Sequence, residues 1–288
     1  MTEQRRRCSQ TLLWSGFFRK DVGEMRKYRE IAKTYLKTQL AWRADVIFNM
    51  IFTISRSLFA YLLWGRVFRG KEMVGGFTFH EMLSYYIVSS FLAQLEMSEG
   101  ISGEIHGRIR NGTFSKYVVI PVNIESYFLA MEVGVVAFYF FFDLAAALVW
   151  VGVFQIRFTI TTDVWVILCS VLMSILGLTF MVQLNYYLGI LTLKYQGIGT
   201  FLMIKNTLVE LVTGSMIPLA LFPETVVKGM KILPFYYVTY LPSMLWIGKC
   251  EEQELPGVFV IGCWCIVMQV VISVTWKTYF RKYDGVGI

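Results

Sequence analysis

The chain has 288 residues, of which 56% are hydrophobic, 16% aromatic and 16% charged. Soluble domains carry about 25% charged residues, so a chain of this length could not clothe itself in water with what it has. Composition excludes an ordinary cytosolic enzyme, a disordered chain and a nucleic-acid reader built on a basic surface. It points to a polytopic membrane protein, in which a formal net charge of +7 is topology information.

The first 24 residues are basic and lack a compact apolar core followed by a small-residue cleavage site, so no cleavable signal is read there. They are expected to form a cytosolic extension. Leu12, Leu13, Trp14, Phe17 and Phe18 offer it a weak membrane contact. Next, Tyr28, Ile31, Ala32, Tyr35, Leu36 and Leu40 recur at the spacing of one helical face, with basic residues around the rest. The pattern predicts an amphipathic interfacial helix over 25–45, in the cytosolic headgroup layer.

A membrane-crossing helix needs about 20 mostly apolar residues. Six segments qualify, predicting an all-α protein with six transmembrane helices over 46–276. The first is 46–68, interrupted by Asn49 and Arg56. The second, 81–101, is amphipathic. The third is 127–154, rich in Phe and Tyr, and the fourth is 164–191. The fifth, 198–222, carries Lys205, Glu210 and Pro218, and the sixth is 255–276. With both termini inside, the cytosolic segments hold 18 Lys/Arg and the outer loops 7, as the positive-inside rule requires.

Between the second and third segments, Ile101, Ile105 and Ile109 recur every four residues, and Asn111-Gly112 is a helix stop. A short cytosolic helix with an apolar ridge and a basic flank suits docking into a groove on a partner. The competing reading is a plain connector with a solvated basic face. The fifth segment ends in Gly214, Pro218 and Pro223, which suggests a broken or re-entrant turn within an outer segment 214–250. The aromatic, proline-punctuated stretch 233–242 fits the interfacial belt, as an exit vestibule or as a capping loop.

Ionisable residues in or beside the spans are Arg56, Glu96, Glu132, Asp143, Lys205 and Glu210. Each should face the bundle, a cavity or the interface. Arg56, Glu132, Asp143, Asn185 and Glu210 are the candidates for a substrate path; interhelical pairing or snorkelling is the alternative for each.

Enzyme chemistry has little support. Gly70-Lys71 and Gly248-Lys249 lack the preceding glycine of a phosphate-cradling loop, so ATP is not held on this chain by that route. The five cysteines Cys8, Cys169, Cys250, Cys263 and Cys265 lack zinc or disulfide spacing, and His80 and His106 have no ligand cluster in sequence, so no metal is expected.

Four stretches, in order, carry a resemblance. They are Met25-Arg26-Lys27-Tyr28 through Ala41-Trp42-Arg43-Ala44-Asp45, Ile101 through Asn111-Gly112-Thr113-Phe114-Ser115-Lys116-Tyr117 to Pro121, Gly214 to Pro223 with Leu233-Pro234-Phe235, and Trp276-Lys277 through Tyr283-Asp284-Gly285-Val286-Gly287. The chain resembles the permease subunits of ABC-2-type ATP-binding-cassette transporters, in the branch where paired permeases accompany one ATPase. Ile120 departs from the basic residue the family often has before the proline.

The resemblance implies an exporter subunit in the bacterial cytoplasmic membrane, with both termini cytosolic. ATP and Mg would sit on a partner ATPase present in two copies, beside a second permease, identical or paralogous. Residues 102–116 would form the coupling loop, with Glu104, Ile105, Arg108, Ile109, Arg110 and Gly112 as ATPase-coupling residues. Residues 277–288 would be a cytosolic tail. The aromatic- and Met-rich spans suit an amphipathic or lipid-like substrate, although such side chains also face lipid ordinarily. A self-sufficient secondary transporter or channel is the alternative; it predicts internal repeats, which the sequence does not show.

Overall fold

A computed structural model describes residues 25–41, 43–195, 197–213 and 219–279. The extension 1–24, Trp42, Gly214, Pro218 and the tail from residue 280 lie outside the described residues, as does the side chain of Arg56. Among the described residues there are helices and turns and no β-strand.

Helix α1 covers 25–41. The helices that follow are α2 (Arg43–Val67), α3 (Phe79–Leu95), α4 (Glu99–Arg110), α5 (Ser115–Val119), α6 (Ile124–Val153) and α7 (Val164–Ile190). After them come α8 (Gly199–Val212), α9 (Glu224–Met230), α10 (Tyr240–Trp246) and α11 (Glu254–Tyr279).

Three helical stretches, Ile124–Val153, Val164–Leu193 and Glu251–Tyr279, are long and apolar enough to cross a membrane. At about 1.5 Å per residue each reaches about 40 Å or more, beyond the roughly 30 Å hydrocarbon core. Their outward side chains are apolar: Phe141 on α6 is 69% exposed and Phe259 on α11 is 73% exposed. Such a surface is stable against lipid and not against water. Helix α2 adds a shorter apolar stretch, Leu58–Val67.

The other expected spans correspond to α3 and α8 and differ from the prediction. The second, expected over 81–101, stops at Leu95; Glu96–Ser98 break the helix and α4 restarts at Glu99. Ile101 therefore belongs to α4. The fifth, expected over 198–222, is helical over the 14 residues of α8. Pro223 stands at the N-cap of α9.

Helix α7 is the hub. Its N-terminal half packs against α10 and α11, and α3 joins the same core through α10, around Met82, Tyr85, Met173, Tyr236, Tyr240, Leu241 and Leu245. Its C-terminal half packs against α4 and α6, with α5 completing the cluster, around Ile101, Ile105, Phe114, Phe128, Tyr186 and Ile190. The 233–242 aromatics, expected at the interfacial belt, are thus an internal core: Tyr236 is 1% and Tyr240 3% exposed. Ser170 on α7 donates to the Pro242 carbonyl at 3.0 Å, and the Thr161 amide donates to the Trp246 carbonyl at 2.9 Å. Short helices broken by proline have their free backbone groups met by protein, as burial demands.

At the same end, a capping box on Thr78 and Glu81 starts α3, and Lys249 pairs with Glu81 at 3.2 Å. At the opposite end, α1 lies along α6: Tyr35 and Tyr127 share a hydroxyl hydrogen bond at 2.8 Å, and Lys27 donates to the Pro121 carbonyl at 3.2 Å. The apolar face of α1 therefore rests partly on protein.

Candidate functional site

Helix α4 is intrinsically weak, because three of its 12 residues are glycine and each is about 1 kcal/mol worse than alanine in a helix. Packing and caps hold it. Ile101 and Ile105 are fully buried against α7, and Ile109 lines the same cluster. A Cβ built at Gly189 of α7 would meet the Ile105 side chain at 2.8 Å, so glycine there lets the two helices touch. The end of α4 is a Schellman cap: Gly112 takes φ +69°, Thr113 N–H reaches the Arg108 carbonyl at 2.9 Å and Gly112 N–H the Ile109 carbonyl at 3.2 Å.

This geometry corrects one expectation. The isoleucine ridge does not present itself to a partner, since it fills the chain's own core. The open face is the opposite one. Gly100 and Gly103 are exposed and Gly107 is half-buried; a Cβ at any of the three would meet nothing within 4 Å. Exposed Arg110 and Asn111 close the stripe. The protein's own packing does not require these glycines.

The flank of α4 is a fixed polar cluster. Arg108 pairs with Glu104 through Nε at 3.1 Å and Nη2 at 3.0 Å, and its guanidinium lies over the Tyr117 ring at 5.1 Å. The Tyr117 hydroxyl donates to the same Glu104 carboxylate. Burial and that carboxylate push the Tyr117 phenol well above its usual range, so it stays a donor. Burial pulls the Arg108 guanidinium down, and the Glu104 contact more than offsets it.

The first turn of α4 leads into the bundle. Lys205 on α8 donates to Asn185 Oδ1 on α7 at 3.2 Å. Asn185 Nδ2 donates to Ser98 Oγ at 2.7 Å. Ser98 Oγ donates in turn to Glu96. Every donor points from the cation toward the carboxylate, so each bond polarises the next. Lys205 is 6% exposed, and Asn185 and Ser98 are buried. Beside this chain, Glu132 on α6 accepts the Met97 amide at 3.0 Å and stands near enough to Glu96 for the carboxylates to repel. Asn206 on α8 donates to Glu99 at 2.6 Å. The knee at 96–99 thus ties α3 and α4 to α6, α7 and α8.

Of the candidate path residues, the structure brings Asn185 and Glu132 to this knee. Asp143 lies apart, buried between α6 and α3 beside Ser90 and Gln94, with Oδ2 lacking a hydrogen-bond partner among the described residues. Glu210 is exposed on α8. Ser98 was missed. Its side chain is unremarkable in sequence, and 87 residues separate it from Asn185.

A helical protein whose exposed helix faces are apolar and whose interior holds a hydrogen-bonded lysine and buried glutamate is a multi-pass membrane protein. A family model described as an ABC-2 family transporter protein matches residues 54–287. The chain belongs to that family and is the membrane-spanning component of an ABC transporter. No curated protein and no solved structure matches it significantly. Membrane subunits of this family work with an ATPase subunit, so the partner-facing surface and the intramembrane polar groups are where its function is sought.

Proposed function

We propose that this chain is the permease subunit of an exporter, docked through the glycine face of α4 onto a separate ATPase and moving an amphipathic or lipid-like substrate out of a bacterial cytosol. The observation that carries the reading is the division of α4 into two faces. One face is fixed in the core, while the other is smooth and unused by the fold. Three glycines there weaken the helix and gain nothing internally, as suits a helix a partner must approach closely. Arg110 adds a charge at its rim.

Six helices would cross the membrane, with both termini and α4 on the cytosolic side and an outer re-entrant segment before the last helix. Two ATPase copies would serve this permease and a second one, identical or paralogous. Closure of the ATPase pair on ATP and Mg would push α4. Because α4 is packed into α7 and its knee is bonded to α6 and α8, a push moves those helices together and opens the cleft outward.

The test is purification of the tagged full-length protein in mild detergent from its native host, with mass spectrometry of the accompanying chains. A Walker-motif ATPase should accompany the wild type and be lost from Gly103→Trp and Gly107→Trp, which alter the open face without entering the core. Recovery of the protein alone, with transport that needs no ATP, contradicts the reading and favours a self-sufficient transporter or channel.

A further inference from the structure

An open groove of about 420 Å³ lies between the first turn of α6 and the last third of α11. A second hollow of about 180 Å³ adjoins it, sharing Asn123, Glu125 and Gln269. Both lie at the α4 end of the molecule, since Trp276 of the groove touches the Phe114 and Tyr186 rings.

The floor is polar and directional. Gln183 Nε2 donates to Gln269 Oε1 at 2.9 Å, and Gln269 Nε2 donates to Glu125 Oε2 at 2.9 Å. Gln183 is 8% exposed, yet its Oε1 has no hydrogen-bond partner among the described residues. A buried carbonyl oxygen left alone is unfavourable, so a missing donor is implied. With Glu125 beside it, the floor offers acceptors and negative charge, which calls for an ammonium that still bears N–H groups.

The mouth has the opposite character. Lys277 and Ser273 stand there with Trp276 and Tyr117, the mixture found at headgroup depth. The walls are apolar, formed by Leu129, Val182 and Ile272. A ligand that meets both ends carries an N–H-bearing ammonium for the floor, an anionic group for Lys277 and an apolar tail for the walls. We infer that this groove holds the head group of a zwitterionic primary-amine phospholipid from the leaflet on the α4 side. The ammonium lies on Glu125 and Gln183 and the phosphate faces Lys277. The site does not depend on which molecule is transported.

The test uses the full chain, delipidated in detergent, with phosphatidylethanolamine, phosphatidylcholine or phosphatidylglycerol added, read by native mass spectrometry and thermal unfolding. Phosphatidylethanolamine should remain bound and raise the melting temperature by about 3 °C or more. The choline lipid has no N–H to give and the glycerol lipid no ammonium, so each should be retained at least tenfold less. Soluble O-phosphoethanolamine at the same concentration should give no shift. An equal shift from it would overturn a lipid site. Glu125→Gln should reduce retention of phosphatidylethanolamine about tenfold, and Ser273→Trp should abolish it by filling the mouth. Circular dichroism checks the fold of both variants, and Ser273→Trp tests the site should Glu125→Gln unfold. Equal retention of the three lipids, or retention unchanged in a folded variant, overturns the assignment.

Discussion

Ile105 of α4 lies so close to Gly189 of α7 that a single added carbon at Gly189 would stand 2.8 Å from the isoleucine Cβ. The two helices are therefore tightly packed against each other, so a displacement of α4 would have to be shared by α7. Gly189→Ala should destabilise by about 1–3 kcal/mol by overpacking. Ile105→Ala alone should cost about 2–5 kcal/mol. The double variant should lose somewhat less than the sum, because Ile105→Ala removes the Cδ1 and Cγ2 atoms at 3.0 and 3.1 Å from the added carbon while the Cβ at 2.8 Å stays; thermal unfolding in detergent checks this cycle, and a double variant that loses more than the sum would contradict it.

Lys205→Met removes the donor that meets buried Asn185 Oδ1. The orphaned oxygen should lower stability by about 1–3 kcal/mol. Because the same chain of hydrogen bonds joins α8 to the knee before α4, the variant should also lose stimulation of the partner ATPase by substrate while still binding the ATPase. Loss of binding would mean that Lys205 supports the docking face itself.

Asp143 presents the converse case. Its buried Oδ2 has no hydrogen-bond partner among the described residues, and an unsatisfied buried carboxylate is unfavourable to the fold. Asp143→Asn should leave the melting temperature unchanged or raise it, while reducing transport if Asp143 lies on the substrate path. A clear fall in melting temperature would instead make this residue structural.

The spans were readable where apolarity is continuous. Expected limits of 127–154, 164–191 and 255–276 differ from α6, α7 and α11 by three residues at most. The break at 96–98 was not foreseen, because a helix that stops and restarts keeps its apolar spacing. The ridge of Ile101, Ile105 and Ile109 was found, but periodicity locates a face without saying what covers it. Whether Tyr236 and Tyr240 meet lipid headgroups or a core is likewise undetermined by residue type, since tyrosine suits both. Asn185 and Glu132 stand out as polar residues in apolar runs, yet their meeting at Ser98 and Glu96 depends on pairings across the bundle that no local pattern encodes.

Cys250 checks the sidedness. It sits beside α10 at the end of α7 away from α4, and burial pushes its thiol above the usual range. In a Cys8→Ser background, a membrane-impermeant maleimide should label Cys250 in intact cells. The thiolate is the reacting form and its pKa is raised, so labelling should be slow at neutral pH and keep accelerating above the pH at which an ordinary thiol has levelled off. Labelling only after the membrane is opened would invert the topology.

A photo-reactive residue placed at Gly103 and activated in native membranes probes the docking face in place, with the same residue at exposed Phe141 as control. Docking through the glycine face predicts that Gly103 captures an ABC ATPase subunit and Phe141 captures none. Absence of that ATPase from the Gly103 product, when the photo-reactive chain is present and folded, would contradict docking through the glycine face of α4.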